Sequence, residues 1–472
     1  MRPARRPFHR RPRLLRGLVA AFAGAAIMAA ATAPSAQAGD PGDHSRFLDA
    51  LKMVTANVDD GNTPGSPHGM DQIPGAVGRT EVDGVQWAGT ADNPATQSPR
   101  QADAKFRAAS NTKMFTSAVV MKLVAANRLK LTDDVFGLLG PILKNNPSQG
   151  CNPLRFRCFD DPKNGGLPIT VLNLLNMSSG IKDYMGDYLF DAKVVATFPN
   201  TVTTPRELVA SMAVNGPQFD PGKGFEYSNT NYAILGMIVE KVTGMAWEDA
   251  VKQMVVDPLG LTDTTVPKAD DTVLPQPHDP HWTNFTKARV GNLWIGKPAA
   301  DQNISYAYGT GAVVSTTGDL IKFLKALLQG RLVPEPQLTT MLTTLNMNTV
   351  GTAAPALPPG VTCNTGFAYP ECFPNPKIFN VTSDANAPTN WYADEPWKQQ
   401  TLRYGLGIVE RKLTCADGHV ETLYGHNGGI PGSFTYTYSN RAGTHLASWN
   451  LNGDWVQWEL FTEYGTLAAE FC

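Results

Sequence analysis

The stretch RAASNTKMFTSAVVMKLV, residues 107–124, constrains the fold more than any other. Met114, Phe115, Ala118, Val119, Met121 and Leu123 make a helix here apolar on nearly every side. Such a helix has to be covered all round, so the chain must build layers about it, and 472 residues are enough to do so. Yet the helix opens on Ser110 with Lys113 three residues later, placing hydroxyl and amine on one face, a turn apart. Burial of a lysine lowers its pKa toward values where it accepts a proton, and such a lysine can activate a serine. The helix N-terminus also favours negative charge developing at the hydroxyl. The alternative is a helix-start serine beside a lysine that snorkels outward, and the motif alone does not choose. A second Ser-x-x-Lys, Ser179 to Lys182, has glycine after the serine and reads as a turn, which leaves Ser110 as the candidate.

The first 16 residues hold seven arginines and no acid, and they lead into LVAAFAGAAIMAAATAPSAQA. A basic head, an apolar middle and the small-residue exit Ala36-Gln37-Ala38 read as a secretory signal peptide over residues 1–38, not a lasting membrane anchor. Its removal takes the net charge from −2 to −9, which argues against a nucleic-acid or anionic-membrane partner. Export makes disulfide pairing the default for Cys151, Cys158, Cys363, Cys372, Cys415 and Cys472. Proximity pairs Cys151 with Cys158 and Cys363 with Cys372. No cysteine spacing suits zinc, and His278-x-x-His281 lies in a Pro-rich loop, where surface polar residues are expected and not a metal pair.

Along the chain, HSRFLDALKMVTANV (44–58) predicts an opening helix, followed by two strands in GAVGRTEVDGVQWAGT. TNYAILGMIVEKVTG (230–244) predicts a helix closed by Gly244, and residues 309–330 a short strand, a Thr316 cap and a helix. RYGLGIVERKL, VETLYGH, SFTYTYSN and THLASWNLN then read as strands, and VQWELFTEYGTLAAEF as a final helix. Strands near both ends with helices between predict an α/β architecture: one antiparallel sheet flanked by helices, with a mainly helical insertion. The sheet is expected from about 45–120 and 305–472, the insertion from about 121–304. Residues 266–304 and 351–400 are dense in Pro, Asn and Thr and read as long loop excursions, candidates to roof a cleft.

Two further motifs join Ser110 and Lys113. In PGKGFEYSNTNY, Tyr227 can move protons when an ammonium stabilises its phenolate, and Asn229 can hold a lysine amine and a substrate amide together. In YGHNGGIPGSF, His426 stands at a strand edge where Gly428 and Gly429 let a substrate backbone come close. Taken singly, these are a loop tyrosine and a strand histidine. Together and in this order, Ser110-x-x-Lys113, Tyr227-x-Asn229 and His426-x-Gly428 resemble the three signatures of the penicillin-recognising serine hydrolases, a β-lactamase/transpeptidase-like group. The similarity is greatest to secreted Streptomyces-type D-alanyl-D-alanine carboxypeptidases and extends from about residue 45 to Cys472 through LLNMSSGI, YGLGI, YGHNGG and the terminal EFC.

The resemblance implies a five-stranded antiparallel sheet, a helical domain and a cleft between them. It implies Ser110 as nucleophile, Lys113 as its assistant, Tyr227 as general acid/base, Asn229 and His426 as substrate ligands, and the N–H groups of Ser110 and Gly429 as oxyanion donors. It implies no metal or cofactor, a small peptide or peptidoglycan substrate, β-lactams as inhibitors, and a bridge from Cys415 to Cys472. A monomer is expected. Relatives of this type place an arginine right after the YGLGL-like strand, but Tyr404-Gly-Leu-Gly-Ile408 is followed here by Val409 and Glu410, with Arg411 out of register. They also use His-Thr-Gly-Thr where this chain has His426-Asn427-Gly428-Gly429. Weak preference for a substrate carboxylate follows, strengthening at low pH if His426 charges. Besides a carboxypeptidase, an esterase or amidase, a β-lactamase and a non-catalytic penicillin-binding sensor remain open.

Overall fold

The computed structural model describes residues 43–55, 73–92, 99–143, 168–186, 193–194, 196–212, 218–290, 293–346, 401–415, 417–454 and 459–472. The signal-peptide segment, the 351–400 excursion and the Cys151–Cys158 and Cys363–Cys372 pairings lie outside these residues.

The sheet is antiparallel and runs in the order β2-β1-β12-β11-β10-β9-β8-β7. Its strands are β1 (Gly75–Val82), β2 (Val85–Asp92), β7 (Leu345–Asn346), β8 (Thr401–Tyr404), β9 (Val409–Thr414), β10 (Val420–Ile430), β11 (Ser433–Asn440) and β12 (His445–Leu451). β1 pairs with β12, Ala76 opposite Leu451, so the two ends of the chain do meet in one sheet. Eight strands stand where the resemblance implied five. The added ones are edge strands: β2 folds back through Asp83 and Gly84, both at positive φ as a tight hairpin requires, and β7 and β8 extend the far edge.

Period-two patterning sorts β11 between the two faces. Phe434, Tyr436 and Tyr438 point to helices α1 (Ser45–Thr55) and α10 (Glu459–Phe471), where Phe47, Leu51, Trp449 and Leu467 complete a buried apolar cluster. The alternate residues Ser433, Thr435, Thr437 and Ser439 are also buried and face the other layer. Cys415, after β9, is bridged to Cys472 at the end of α10, with Cα atoms 5.3 Å apart. This is the pairing that the resemblance implied.

On the second face lies α2 (Thr112–Ala125), eleven of whose fourteen residues are buried. Phe115 stacks on Phe323 of α8 (Thr317–Leu328), their ring centroids 3.9 Å apart. Each large apolar side chain so covered contributes about 1.5–3 kcal/mol. Around α2 gather α3 (Val135–Leu143), α4 (Val171–Leu175), α5 (Pro205–Met212), α6 (Asn229–Thr243) and α7 (Trp247–Val251), with α6 touching all the others. α6 ends at Gly244, φ +75°, and α8 starts where the Thr316 hydroxyl accepts from the Asp319 N–H at 3.2 Å, both as the sequence predicts. α9 (Glu335–Met341) packs against α2.

Two expectations fail here. Residues 266–304 are not all loop: β4 (Trp282–Val290) and β5 (Leu293–Pro298) form a hairpin, separate from the short pair β3 (Phe106–Arg107) and β6 (Val314–Ser315). His281 is not a surface residue either. It is buried, its Nδ1 bonds to the Gly432 carbonyl at 2.7 Å, and burial pushes its imidazole down to about 3. Among the described residues no cluster of His, Cys, Asp and Glu could hold a metal, and no helix is long and apolar enough to cross a membrane.

Candidate active site

Ser110 sits in a 3-10 turn, Ala109–Asn111, that delivers it to the start of α2. Ala109 has φ +49°, a left-handed conformation costing a residue with a side chain on the order of 1 kcal/mol. The turn is held from several sides: Asn111 Nδ2 donates to the Ala108 and Thr435 carbonyls at 3.2 and 3.1 Å, and the Ala108 N–H donates to the Val313 carbonyl at 2.8 Å. Gly428 of β10 lies directly against it. A Cβ at residue 428 would collide with the Ser110 backbone nitrogen and Ala109, so only glycine lets the strand approach the turn.

Two donors converge on the Ser110 hydroxyl. Lys113 Nζ lies 2.9 Å from Oγ, and the Tyr227 hydroxyl, in the loop leading to α6, donates to the same oxygen at 2.9 Å. Lys113 is fully buried and also donates to Asn229 Oδ1 at 2.7 Å and the Thr310 carbonyl at 3.1 Å. Desolvation pushes its amine down to about 7, against the opposing pull of Asp183. At neutral pH a large share of Lys113 is therefore free base. Ser179, by contrast, is buried and donates to Asn231 Oδ1 at 2.7 Å, a turn-forming serine as expected.

Behind Asn229 stands a residue that the sequence reading missed. Asp183 accepts from Asn229 Nδ2 at 2.8 Å, from the Asn229 N–H at 3.2 Å and from the Met185 N–H at 3.0 Å. Burial pushes its carboxyl above the usual range, partly offset by the Met185 N–H and the Lys113 charge. The available signal was an acid in GIKDY, a segment otherwise suited to burial.

His426 occupies the stretch of β10 beyond Gly425, the last residue that β9 pairs, so the strand edge is open there as expected. Its side chain is not a free substrate donor. Nδ1 donates to the Asn427 carbonyl at 2.5 Å, and Nε2 accepts from the Tyr404 hydroxyl at 3.2 Å. Burial, with the Lys113 charge beside it, pushes the imidazole down to about 3. The expectation that His426 charges in mildly acid solution is thereby corrected: an ammonium neighbour and a dry site both oppose a second cation. Tyr404, also missed, was visible only as the head of YGLGI. Gly407 in that turn, φ +75°, lies against the Ser117 and Tyr232 hydroxyls, where any Cβ would clash. Gly429 is packed beside the Phe434 ring.

Neither Val409 nor Arg411 takes the place of the missing arginine. Val409 is buried opposite Gly425 at the start of β9. Arg411 is buried and committed: Nη2 lies 2.6 Å from Glu463, Nε donates to the Tyr438 hydroxyl at 2.9 Å and Nη1 to the Tyr464 hydroxyl at 3.1 Å.

A family model described as Beta-lactamase matches residues 67–445. The chain belongs to the β-lactamase family. A D-stereospecific amidohydrolase from Streptomyces sp. is 30% identical, superposes with a TM-score of 0.64, and is matched over 91% of this chain and 99% of its own. A D-amino acid amidase from Ochrobactrum anthropi SV3 shares the fold at 20% identity, TM-score 0.58, over 90% of this chain and 98% of its own. Penicillin-binding protein 4* of Bacillus subtilis is 26% identical over 187 residues, 38% of this chain and 40% of that protein's length. This β-lactamase-family chain has a β-lactamase/transpeptidase-like fold, the antiparallel sheet flanked by helices.

Proposed function

We propose that the protein is an exported hydrolase that cleaves amide bonds of D-amino-acid substrates through an acyl-enzyme at Ser110. The observation that carries this is the convergence of Lys113 and Tyr227 on one oxygen, 2.9 Å each, with the lysine pushed down to about 7. Neutral Lys113 takes the Ser110 proton as Oγ attacks the carbonyl carbon, and the N–H groups of Ser110 and Gly429 receive the oxyanion. Tyr227 protonates the leaving nitrogen as the C–N bond breaks. The Lys113 ammonium, 4.9 Å from the Tyr227 ring centroid, restores the phenol. Water then attacks the ester and regenerates Ser110. Asn229, held by Lys113 on one side and Asp183 on the other, positions the substrate amide. Neither a metal nor an organic cofactor enters these steps, and β-lactams are expected to acylate the same serine.

The amide reading is preferred to the D-alanyl-D-alanine carboxypeptidase reading because a buried substrate carboxylate needs charged donors. Here Arg411 is paired with Glu463 and His426 is neutral. The D-stereospecific amidohydrolase supports the same choice. Peptidoglycan stem peptides ending in a free carboxylate remain the second reading, favoured by the motif order. Export is supported by the basic-apolar leader and by the Cys415–Cys472 bridge, which needs an oxidising compartment. The test is kcat/KM for a D-Ala-D-Ala peptide, its C-terminal amide and a D-alanine ester. Amide and acid within about tenfold of each other support the proposal. A preference for the acid of about a hundredfold or more overturns it in favour of the carboxypeptidase.

A further inference from the structure

We propose that Asp183 is a positioning residue of the Ser110 site, acting through Asn229 to aim Lys113 and to set its charge. The inference rests on Ser110 being the acylated residue. Asp183, Asn229, Lys113 and Ser110 form one continuous chain of hydrogen bonds, at 2.8, 2.7 and 2.9 Å. An amide side chain presents an oxygen or a nitrogen to a neighbour, and a flip exchanges them. A carboxylate only accepts, so Asp183 obliges Asn229 to turn Nδ2 inward. Oδ1 is then the atom left for Lys113, and an acceptor there holds the lysine toward Ser110. A flipped amide would set two donors against each other, and Lys113 would lose this anchor.

The Asp183 carboxylate is itself fixed. Every hydrogen bond found for it is one it accepts, from the Met185 N–H and from the Asn229 N–H at the first turn of α6. Its backbone neighbours are tied to the same helix: the Lys182 carbonyl accepts from the Ser228 and Thr230 hydroxyls at 3.1 and 2.7 Å, and the Tyr184 N–H donates to Thr230 at 3.1 Å. The turn and the helix start therefore move as one piece.

Asp183 is also the countercharge of Lys113. The other titratable groups around that amine are Tyr227 before α6, Tyr232 on α6 and His426 on β10, with Tyr404 on β8 packed against Tyr227. Burial pushes Tyr232 and Tyr404 upward and His426 down to about 3, so all three are neutral at working pH. The Asp183 charge raises the Lys113 pKa while desolvation lowers it. Without Asp183 the balance falls to the desolvation side. Lys113 would then lose its proton at lower pH than in the wild type, yet be less well aimed.

A role confined to capping α6 predicts something different, which makes the matter testable. The probe is p-nitrophenyl acetate, whose burst of nitrophenolate reports acylation without depending on the physiological substrate. Burst rates are measured from pH 5 to 9 for the wild type, Asp183→Asn and Asp183→Ser, together with thermal midpoints. The wild type should show a limb near pH 7. In both variants the limb should move to lower pH by about one unit or more, with a plateau lowered at least tenfold. Asp183→Glu, which keeps the charge, should hold the limb nearer its wild-type position. A limb that stays put while only the thermal midpoint falls makes Asp183 a cap and overturns the proposal, as does failure of both neutral variants to fold. A wild type without any burst removes the acyl-enzyme reading itself, and this inference with it.

Discussion

Two buried charge pairs stand on opposite sides of β10, and they are built differently. Toward the cleft, Lys113 meets Asp183 only through the amide of Asn229. Toward α10, Arg411 touches Glu463 directly at 2.6 Å, with the Tyr438 and Tyr464 hydroxyls completing its shell. Desolvation penalises the cation in both places. On the α10 side desolvation is the largest single influence, but Glu463 together with Tyr438 and Tyr464 outweighs it, and Arg411 is pushed above its ordinary value. On the cleft side the intervening amide weakens the attraction, and Lys113 is pushed down to about 7. A direct pair locks a charge in place, whereas a bridged pair leaves it ready to titrate. One cluster therefore holds the C-terminal helix on the sheet, and the other can do proton chemistry.

The sharpest way to break this contrast is to remove each cation in turn. Lys113→Met should lower the rate of Ser110 acylation at pH 8 by about 10⁴-fold, and should cost less stability than the Arg411 variant, since Asp183 keeps its hydrogen bonds from Asn229 and Met185. Arg411→Met should do the reverse. It leaves Glu463 unpaired and should cost up to about 5 kcal/mol in urea unfolding, while the acylation pH profile keeps its midpoint. Equal losses of activity and stability in both variants would erase the distinction.

Smaller effects sharpen it. Replacing Cys415 and Cys472 together by serine opens a bridge spanning 57 residues, and the chain-entropy model assigns it about 4 kcal/mol. The loss should appear in unfolding and spare the acylation midpoint near 7. His426 gives the smallest signal. Its folded pKa is depressed to about 3 from an ordinary 6.5, so it binds more protons unfolded than folded between those values. The stability it contributes is fully present above pH 6.5 and is lost as pH falls through about 3. His426→Gln should flatten that part of the stability curve. Between pH 5 and 8, preference for acid over amide substrate should not change through His426, because it stays neutral.

Much of this site is legible in the sequence because its motifs are local. Lys113 follows Ser110 by one turn, Asn229 follows Tyr227 by two residues, and Gly428 follows His426 by two, so each group's internal geometry comes from a single element. The all-round apolarity of residues 114–123 foretold the burial of α2 on which the Lys113 argument depends. Asp183 was out of reach since its partner lies 46 residues away, and only the packing of a turn on the start of α6 brings them together. The commitment of Arg411 is likewise tertiary, made by residues of α10 that no local pattern links to β9. Short edge strands such as Leu345–Asn346 carry too few residues to show a period, so β7 is not legible in the sequence, whereas the eight-residue β2 is. In 266–304 the proline density masked the strand Trp282–Val290, which pairs with its hairpin partner Leu293–Pro298. His281 was misplaced for a related reason: flanking prolines suggest an exposed loop, but its imidazole is buried against Gly432.

The most direct measurement of the central claim is peptide mapping by mass spectrometry after brief incubation with benzylpenicillin at pH 8. One adduct of the mass of the drug is expected on the peptide that contains Ser110. It should be absent from Ser110→Ala, scarcely formed in Lys113→Met, and unchanged in Ser179→Ala. An adduct on any other residue, or one that survives Ser110→Ala, would contradict it.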